Sequence, residues 1–315
     1  MKIVILGYSG VIGKSVLKLL LKKKYLNLLC VGRNIQYKKH NYPSVKYHKL
    51  DLSSFENNSL SFLDSADVII NCAGKADYNI KDIKKLNILY LKKLLNYINS
   101  KKQTVRFIQL GSVSVYGGAF NYLGKKKSIQ ENSPIKINNN YSKSKFKADM
   151  LIQGIVNKKV NKNFSYTILR VSNVFSDKKK SNLFKYLIYT LRLRFWIRSF
   201  EDVTFNFINV KDVSRSIVKI ISNLSKTKNK IYIVSDDCDQ SSIYNEYEKI
   251  NKKKIIRLKI SIKIVEFIIH YFQNIRKLIN FILIVSSRIT YNNTQIKKDI
   301  NFCPKFSLQK NVNKI

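Results

Sequence analysis

Three residues of the chain could together move a proton and orient a substrate oxygen: Ser112, Tyr141 and Lys145. Tyr141 and Lys145 are four residues apart, so on a helix their side chains project from one face. A nearby ammonium group favours the ionised form of a phenol electrostatically. Such a tyrosine can exchange a proton with a substrate hydroxyl while the Ser112 hydroxyl hydrogen-bonds the same oxygen. The three residue types therefore predict acid/base chemistry at a hydroxyl or carbonyl group.

The tyrosine–lysine spacing gains weight only from its surroundings, because the chain has 19 Tyr and 59 Lys and Arg residues. Ser112 lies in the segment Leu110–Gly117, and the pair at 141 and 145 follows it. Both come after a glycine-rich turn at the start of the chain. We expect one site that uses all three segments, because their joint occurrence by chance is improbable.

The glycine-rich turn follows the apolar run Lys2–Leu6, which predicts a buried strand. Gly7, Gly10 and Gly13 lead from this strand into a helical pattern that includes Val11 and Ile12. Glycines at this spacing allow a tight turn and bring the backbone close to a pyrophosphate. The phosphates then meet the positive end of the helix and its free N–H groups. The turn therefore predicts a dinucleotide-binding site.

Taken together, these segments resemble the extended short-chain dehydrogenase/reductases, often labelled the NAD-dependent epimerase/dehydratase family. The resemblance covers nearly the whole chain. It is carried by Gly7-x-x-Gly10-x-x-Gly13, Asp51-Leu52, Asn71-Cys72-Ala73-Gly74, Asn87, Ser112 with Val115-Tyr116-Gly117, Tyr141 with Lys145, Leu169-Arg170-x-x-Asn173-Val174 and Phe207–Val213. It implies an enzyme that modifies nucleotide-linked sugars with a nicotinamide cofactor. Catalysis would use Ser112 to orient the reacting oxygen, Tyr141 as the acid/base and Lys145 to assist it.

The alternation of strand and helix patterns predicts an α/β fold, specifically a Rossmann-type doubly wound parallel sheet. Strands are expected at 2–6, 26–31, 45–49, 67–71, 104–110 and 164–170, and helices near 11–24, 82–99 and 141–157. After Asn173 we expect helices near 181–192, 210–223, 242–250, 261–284 and 292–299, with short strands near 204–208 and 230–235. The resemblance implies a dinucleotide-binding domain at 1–173, to which 204–223 returns. Residues 174–315 would form mainly a smaller, mostly helical substrate lobe.

The end of the second strand indicates which nicotinamide cofactor is bound. An acidic residue there would bind the ribose 2′-hydroxyl, whereas an arginine accommodates a 2′-phosphate. Gly32-Arg33-Asn34 carries no carboxylate, and Arg33 can offer a planar fork to a phosphate. We therefore expect NADP, with NAD as the alternative if Arg33 only stacks on adenine. From the turn and the resemblance, the cofactor contacts are Gly7, Gly10, Val11, Ile12, Gly13, Arg33, Asp51, Leu52, Ala73, Gly74, Asn87, Tyr141 and Lys145.

The residues beside Ser112 narrow the reaction that the resemblance implies. Sugar 4,6-dehydratases follow their Ser or Thr with an Asp-Glu pair, but this chain has Val113 and Ser114 there. Epimerases that act at C3 or C5 use a Cys and a His or a similar pair, which we cannot place here. Redox chemistry at one secondary alcohol or ketone remains, and the resemblance implies that its carbon is C4. We favour a 4-keto sugar reductase of surface polysaccharide biosynthesis, with a 4-epimerase as the alternative and a non-catalytic NADP-binding protein as a weaker one.

The resemblance also implies a clasp for the diphosphate of a nucleotide sugar, made by Asn173 and by Asn182-Leu183 at a helix start. Ser112 and Ser114 would contact the sugar. The family often has an arginine near the position of Phe205, and this chain lacks it. A lipid-linked sugar diphosphate therefore stays open as the substrate.

Net charge, cysteine spacing and hydropathy predict which partners the protein has and where in the cell it lies. The net charge is +40, yet the basic residues are spread evenly, so we expect no nucleic-acid partner and only attraction of phosphate-bearing ligands. The four cysteines and three histidines show no paired spacing, which predicts no disulfide or metal site. Reduced cysteines and the absence of a signal peptide lead us to expect a cytoplasmic protein, with a homodimer possible. We attribute the apolar segment 261–285 to packing in the lobe, with contact with a membrane surface as the alternative.

Overall fold

The structure is a computed structural model that describes residues 1–23, 27–33, 45–52, 57–74, 80–102, 104–176, 182–271 and 285–309. Its strands are β1 (Lys2–Leu6), β2 (Asn27–Gly32), β3 (Val45–Lys49), β4 (Val68–Asn71), β5 (Val105–Ser112), β6 (Lys127–Ile129), β7 (Phe164–Val171), β8 (Asn173–Phe175), β9 (Phe195–Arg198), β10 (Thr204–Asn209), β11 (Lys230–Val234), β12 (Asp236–Asp239), β13 (Ile256–Lys259) and β14 (Ile289–Tyr291). Its helices are α1 (Val11–Leu20), α2 (Ile80–Lys84), α3 (Tyr90–Ser100), α4 (Gly118–Asn121), α5 (Asn140–Asn157), α6 (Asn182–Arg192), α7 (Val210–Ile221), α8 (Gln240–Asn251), α9 (Ile262–Tyr271) and α10 (Thr294–Ile300). A π-helical turn, Lys85–Leu89, joins α2 to α3.

A seven-stranded sheet in the order β11-β7-β5-β4-β1-β2-β3 forms the centre of the molecule. Every pairing in this sheet is parallel. Its inner strands β1, β4 and β5 are almost wholly buried because both faces are covered by helices. Val16 of α1 and Ile217 of α7 belong to the core on one face, and Leu94 of α3 and Ile152 of α5 to the core on the other. The predicted doubly wound α/β fold is confirmed.

The strand order reverses between β1 and β4, which lie side by side although β2 and β3 intervene in sequence. In an open parallel sheet, ligands bind outside the carboxyl ends of the strands at such a reversal. The glycine-rich turn follows β1 at this edge, the segment Cys72–Gly74 follows β4, and Ser112 ends β5. The fold therefore brings the candidate residues to one crevice.

The segment 204–223 requires a correction to the expectation that it returns to the central sheet. Its helix α7 does pack beside α1 on that sheet. Its strand β10 instead pairs with β8 and β12 in a separate sheet. The returning strand is β11, which pairs with β7. The division of the chain at residue 173 stays a prediction.

A separate core cluster with many aromatic rings lies between Phe175 and Leu308 in the chain, and we call the part of the molecule around it the second lobe. Trp196 stacks on Tyr244 with ring centroids 4.9 Å apart, and Phe207 lies among the rings of Phe175 and Phe184. Helix α9 differs from this core, because Val265 is its buried residue while other apolar side chains are exposed. The remainder of the expected helix, 272–284, lies outside the described residues. Across the described ranges, no helix is both long and apolar enough to span a bilayer.

Candidate active site

The turn after β1 can be built only with glycine at two positions. Gly7 has φ +73°, and a Cβ there would lie 2.8 Å from the backbone nitrogen of Ala73. A Cβ on Gly13 would lie 2.5 Å from the carbonyl oxygen of Gly7. Gly10 tolerates a side chain better, since a Cβ there would lie 3.3 Å from the carbonyl oxygen of Gly7. The turn therefore holds the segments after β1 and β4 in backbone contact, and it leaves a cradle without side chains.

Helix α1 starts at Val11 with Gly10 as its N-cap, and no side chain caps its first turn. The N–H of Gly10 donates to the carbonyl oxygen of Gly7 at 3.0 Å, and the first helical hydrogen bond runs from Lys14 to Gly10. The N–H groups of Val11, Ile12 and Gly13 therefore precede the helical ladder and point out of the helix end. A diphosphate fits this end through its charge and its acceptor oxygens.

Tyr141 and Lys145 lie on the first two turns of α5, as the sequence predicts. The helix begins with a capping box in which Asn139 and Ser142 bond each other's backbone N–H groups. Lys145 is buried, and its Nζ donates to the carbonyl oxygen of Leu110 at 2.9 Å. The same Nζ lies 5.9 Å from the ring centre of Tyr141. Helix α5 is therefore fastened to β5 two residues before Ser112.

Asn87 lies in the π-helical turn and faces the same lysine. Its Nδ2 donates to Ser144 Oγ at 3.0 Å. A Cβ on Gly74 would meet Asn87 Oδ1 at 3.1 Å and Lys145 Nζ at 3.3 Å, so these three residues converge. Burial raises the pKa of the neighbouring Cys72 thiol to about 12, although Lys145 acts in the opposite direction. Cys72 is therefore protonated at neutral pH and does not compete with Tyr141 as a base.

Ser112 ends β5 in an extended conformation and caps the short 3₁₀ helix that follows. Its Oγ accepts the N–H of Ser114 at 3.2 Å, which leaves the hydroxyl hydrogen available to a substrate oxygen. Val113 is buried. The Oγ of Ser114 is buried without a hydrogen-bond partner in the described residues. The structure thus offers two hydroxyl groups, and no carboxylate, at positions 112–114.

A buried ion pair lies below the catalytic face of α5 and was not predicted from the sequence. Asp149 follows Lys145 by one further helical turn, and its Oδ2 accepts from Arg170 Nε at 3.0 Å. Arg170 also donates to Tyr116 Oη at 2.6 Å. Burial raises the pKa of Asp149 to about 6, and the Arg170 charge opposes that shift. The repeat of four residues through 141, 145 and 149 is the sequence signal that would have identified Asp149.

The structure shows fewer contacts for the remaining predicted site residues. Arg33 is exposed directly after β2, and Asp51 and the buried Leu52 follow β3, so all three are at the same sheet edge as the glycine turn. Asn173 begins β8, and its Nδ2 donates to the carbonyl oxygen of Asn206 at 3.0 Å. The backbone of Asn182 and Leu183 opens α6, but their side chains lie outside the described residues. The assignment of Asn173, Asn182 and Leu183 to substrate binding stays a prediction.

We compared the chain with models of known protein families and with curated protein sequences. The model of the NAD dependent epimerase/dehydratase family matches residues 3–235, which include all the predicted site residues. No curated protein sequence matches the chain significantly.

Solved structures share the fold over nearly the full length. UDP-glucuronic acid 4-epimerase from Bacillus cereus in complex with NAD has a TM-score of 0.73 at 16% identity, covering 99% of this chain and 96% of that one. The dTDP-glucose 4,6-dehydratase from Bacillus anthracis in complex with NAD has a TM-score of 0.70 at 15% identity, covering 100% and 94%. RMD from Pseudomonas aeruginosa complexed with NADPH has a TM-score of 0.68 at 15% identity, covering 99% and 97%. At these identities the likeness establishes the fold.

Proposed function

The chain belongs to the NAD dependent epimerase/dehydratase family, and we propose that it is a reductase acting at C4 of a nucleotide-linked 4-keto sugar. The observation that carries the proposal is the composition of the site around Ser112. Tyr141 and Lys145 supply proton transfer and positive charge, whereas residues 113 and 114 are a buried valine and a serine. Elimination of water would need an acid and a base at these two positions. Reduction of a single ketone needs neither.

The glycine turn fits a nicotinamide dinucleotide, because the cradle at Gly7 and Gly13 excludes side chains and the end of α1 presents free N–H groups. Arg33, exposed after β2, would meet a 2′-phosphate, so we propose NADP over NAD. Asp51, Leu52, Ala73 and Gly74 would line the same cleft. The bound cofactor supplies the hydride for the reduction.

The proton chemistry belongs to the chain's own residues. Ser112 donates its hydroxyl hydrogen to the ketone oxygen and holds that oxygen near Tyr141. Tyr141 gives the proton that the oxygen requires as the hydroxyl group forms. Lys145, fixed by the carbonyl of Leu110, keeps its charge beside the Tyr141 ring. It would also hold the ribose of the cofactor. The hydrogen bond from Asn87 to the Ser144 hydroxyl ties the π-helical turn to α5 next to this lysine.

The substrate would be a sugar diphosphate, gripped through Asn173 and the start of α6. The net charge of +40 favours capture of such an anion. RMD, which shares the fold, is complexed with NADPH, so the fold is compatible with the proposed cofactor. Surface polysaccharide biosynthesis in the cytoplasm is the setting that we propose.

The test is to incubate the purified protein with NADPH and nucleotide-linked 4-keto-6-deoxy sugars, and to identify the products by NMR. We expect stoichiometric NADPH oxidation and formation of the 4-hydroxy sugar. Parallel samples contain UDP-hexoses or UDP-N-acetylhexosamines without added reductant. Interconversion of C4 epimers in those samples, where no NADPH is present to be consumed, would replace the reductase by a 4-epimerase that uses the same three residues.

A further inference from the structure

The second lobe carries an apolar surface that its own core does not use. In the two-stranded sheet of β9 and β13, Trp196 points into the lobe core, where its Nε1 donates to Gln240. Side chains alternate across a strand, so Phe195 and Ile197 lie on the opposite, outer face. Their register partners on β13 are Ile256 and Leu258, which are 59% and 44% exposed. The outer face of this sheet is therefore entirely apolar at four neighbouring positions.

Helix α9, which starts three residues after β13 ends, carries a second set of exposed apolar residues. Ile264, Phe267 and Tyr271 are spaced three and four residues apart, so they share one stripe of the helix. They are 51%, 56% and 67% exposed, and the rings of Phe267 and Tyr271 are 4.6 Å apart. We call the seven residues the lobe surface: Phe195, Ile197, Ile256, Leu258, Ile264, Phe267 and Tyr271. The first two are half-buried and the other five are exposed.

The charges around the lobe surface identify its partner. Between residues 248 and 266 the chain has seven Lys or Arg residues and two Glu residues. Glu248 pairs with Arg257, and Glu266 is exposed on α9. The lysines of this stretch are all exposed: Lys249, Lys252, Lys253, Lys254, Lys259 and Lys263. Apolar side chains bordered by lysines are the arrangement that inserts into the headgroup region of anionic bilayers. A second copy of the chain fits less well, because two such basic borders would repel each other across a symmetric contact.

We propose that the lobe surface binds the surface of an anionic phospholipid bilayer. Exposed patches that combine apolar and basic residues commonly mark a binding site. The proposal is independent of the reaction at Tyr141, because it concerns where the protein lies and not what it converts. It also gives a reason for the exposed apolar residues of α9.

The test is co-sedimentation with vesicles of phosphatidylcholine alone or mixed with phosphatidylglycerol. We expect binding only to the mixed vesicles, weakening as salt is added. Leu258→Glu and Phe267→Glu should each abolish it, whereas Val160→Glu, at a site that is 55% exposed outside the lobe surface, should not. Replacing Lys252, Lys253 and Lys254 together by Gln should weaken binding about a hundredfold, at roughly fivefold for each lysine. Circular dichroism of each variant checks folding.

Insertion of the helix itself is tested with Phe267→Trp. The chain has one tryptophan, Trp196, which is buried, so the new indole dominates any change in emission on binding. We expect a blue shift and quenching by brominated phosphatidylcholine in the mixed vesicles. No binding, or binding that survives Leu258→Glu and Phe267→Glu, overturns the proposal and leaves only general charge attraction. A dimer that Phe267→Glu dissociates, without vesicle binding, overturns it in favour of a second copy.

Discussion

The crevice of the central sheet and the surface of the second lobe differ in how deeply their ion pairs are buried. In the crevice, Arg170 and Asp149 form an ion pair whose side chains are 4% and 0% exposed. In the lobe, Arg257 and Glu248 form a pair whose side chains are 34% and 21% exposed. A buried pair fixes its neighbours because neither partner can turn to water, whereas an exposed pair contributes little. The proposed catalytic residues Ser112 and Lys145 are buried in the first kind of surroundings.

The two regions also differ in how much one substitution should matter. The crevice combines glycines without space for a Cβ, a buried lysine and a buried arginine. The surface of the lobe carries many exposed lysines and exposed apolar residues, which have few neighbours. We therefore expect substitutions in the crevice to change turnover, stability or cofactor binding strongly, and matched substitutions on the lobe to change them little.

The largest effect is expected from Tyr141→Phe, which removes only the transferable proton. We expect turnover to fall by about 10²–10⁴-fold, the usual contribution of one proton-transfer group, while cofactor affinity stays nearly unchanged. Steady-state kinetics and calorimetry measure the two quantities. Tyr189→Phe, at an exposed tyrosine of the lobe, is the control and should leave turnover intact. Turnover of Tyr141→Phe within a few-fold of the parent would remove Tyr141 from the mechanism.

The next effect concerns stability and compares the two ion pairs directly. Arg170→Met leaves Asp149 buried without its partner, so the free energy of unfolding should fall by about 3–5 kcal/mol. Arg257→Met breaks the exposed pair and should cost at most about 1 kcal/mol. Urea unfolding well above pH 6 measures both, because Asp149 is then ionised in the parent. Adding Asp149→Leu to Arg170→Met should recover much of the loss, and a loss that persists would place the cost in packing.

A smaller effect is expected at the cofactor. A charge-assisted contact to a 2′-phosphate is worth roughly 1.5–3 kcal/mol, so Arg33→Ala should weaken NADP binding by about one to two decades. NAD binding should hardly change. Arg192→Ala, at an equally exposed arginine of the lobe, should alter neither. Calorimetry with both cofactors decides, and tighter binding of NAD by the parent would favour the 4-epimerase.

The sequence predicted most elements of the first half to within one or two residues. The reason is that long strands and helices carry periodic apolar patterns, as in Lys2–Leu6 and in α5. In the second half the helices and β10 and β11 were predicted, but β8, β9, β12, β13 and β14 were missed. These strands have three or four residues, too few to show a period. Their partners are also distant, as with β14, which pairs with β6 about 160 residues earlier.

In the candidate site, too, local patterns were predictable and contacts between distant segments were not. The glycine turn is a local pattern, and the pair of Tyr141 and Lys145 was predicted from its spacing together with the glycine turn and the Ser112 segment. The sequence did not predict that Ser144 binds Asn87 or that Asn87 lies in a π-helical turn, because both depend on how α5 packs beside α3. The pairing of Asp149 with Arg170 joins a helix to a strand and needs the fold as well.

The smallest predicted effect asks whether burial alone sets the titration of a carboxyl group, whichever region holds it. Burial raises the pKa of Asp149, in the crevice, and of Asp237, in the lobe, to about 6 from an ordinary 3.8. Between these values the folded protein binds more protons than the unfolded chain, so stability increases as the pH falls through 6. From about pH 7 to about pH 5 each group should add about 1 kcal/mol to the free energy of unfolding.

Asp149→Asn and Asp237→Asn should each reduce by about 1 kcal/mol the change in unfolding free energy between pH 7 and pH 5, as measured by urea unfolding at the two pH values. The difference between each variant and the parent cancels the groups that titrate in both, which leaves the share of one carboxyl. Asp149 faces Arg170, whereas Asp237 accepts the Ser235 hydroxyl and the N–H of Tyr291, so their surroundings differ in charge while both are buried. Equal shares would show that desolvation governs both regions. An unchanged pH dependence in Asp149→Asn alone would mean that Arg170 keeps Asp149 ionised, which contradicts this prediction and widens the contrast between crevice and lobe.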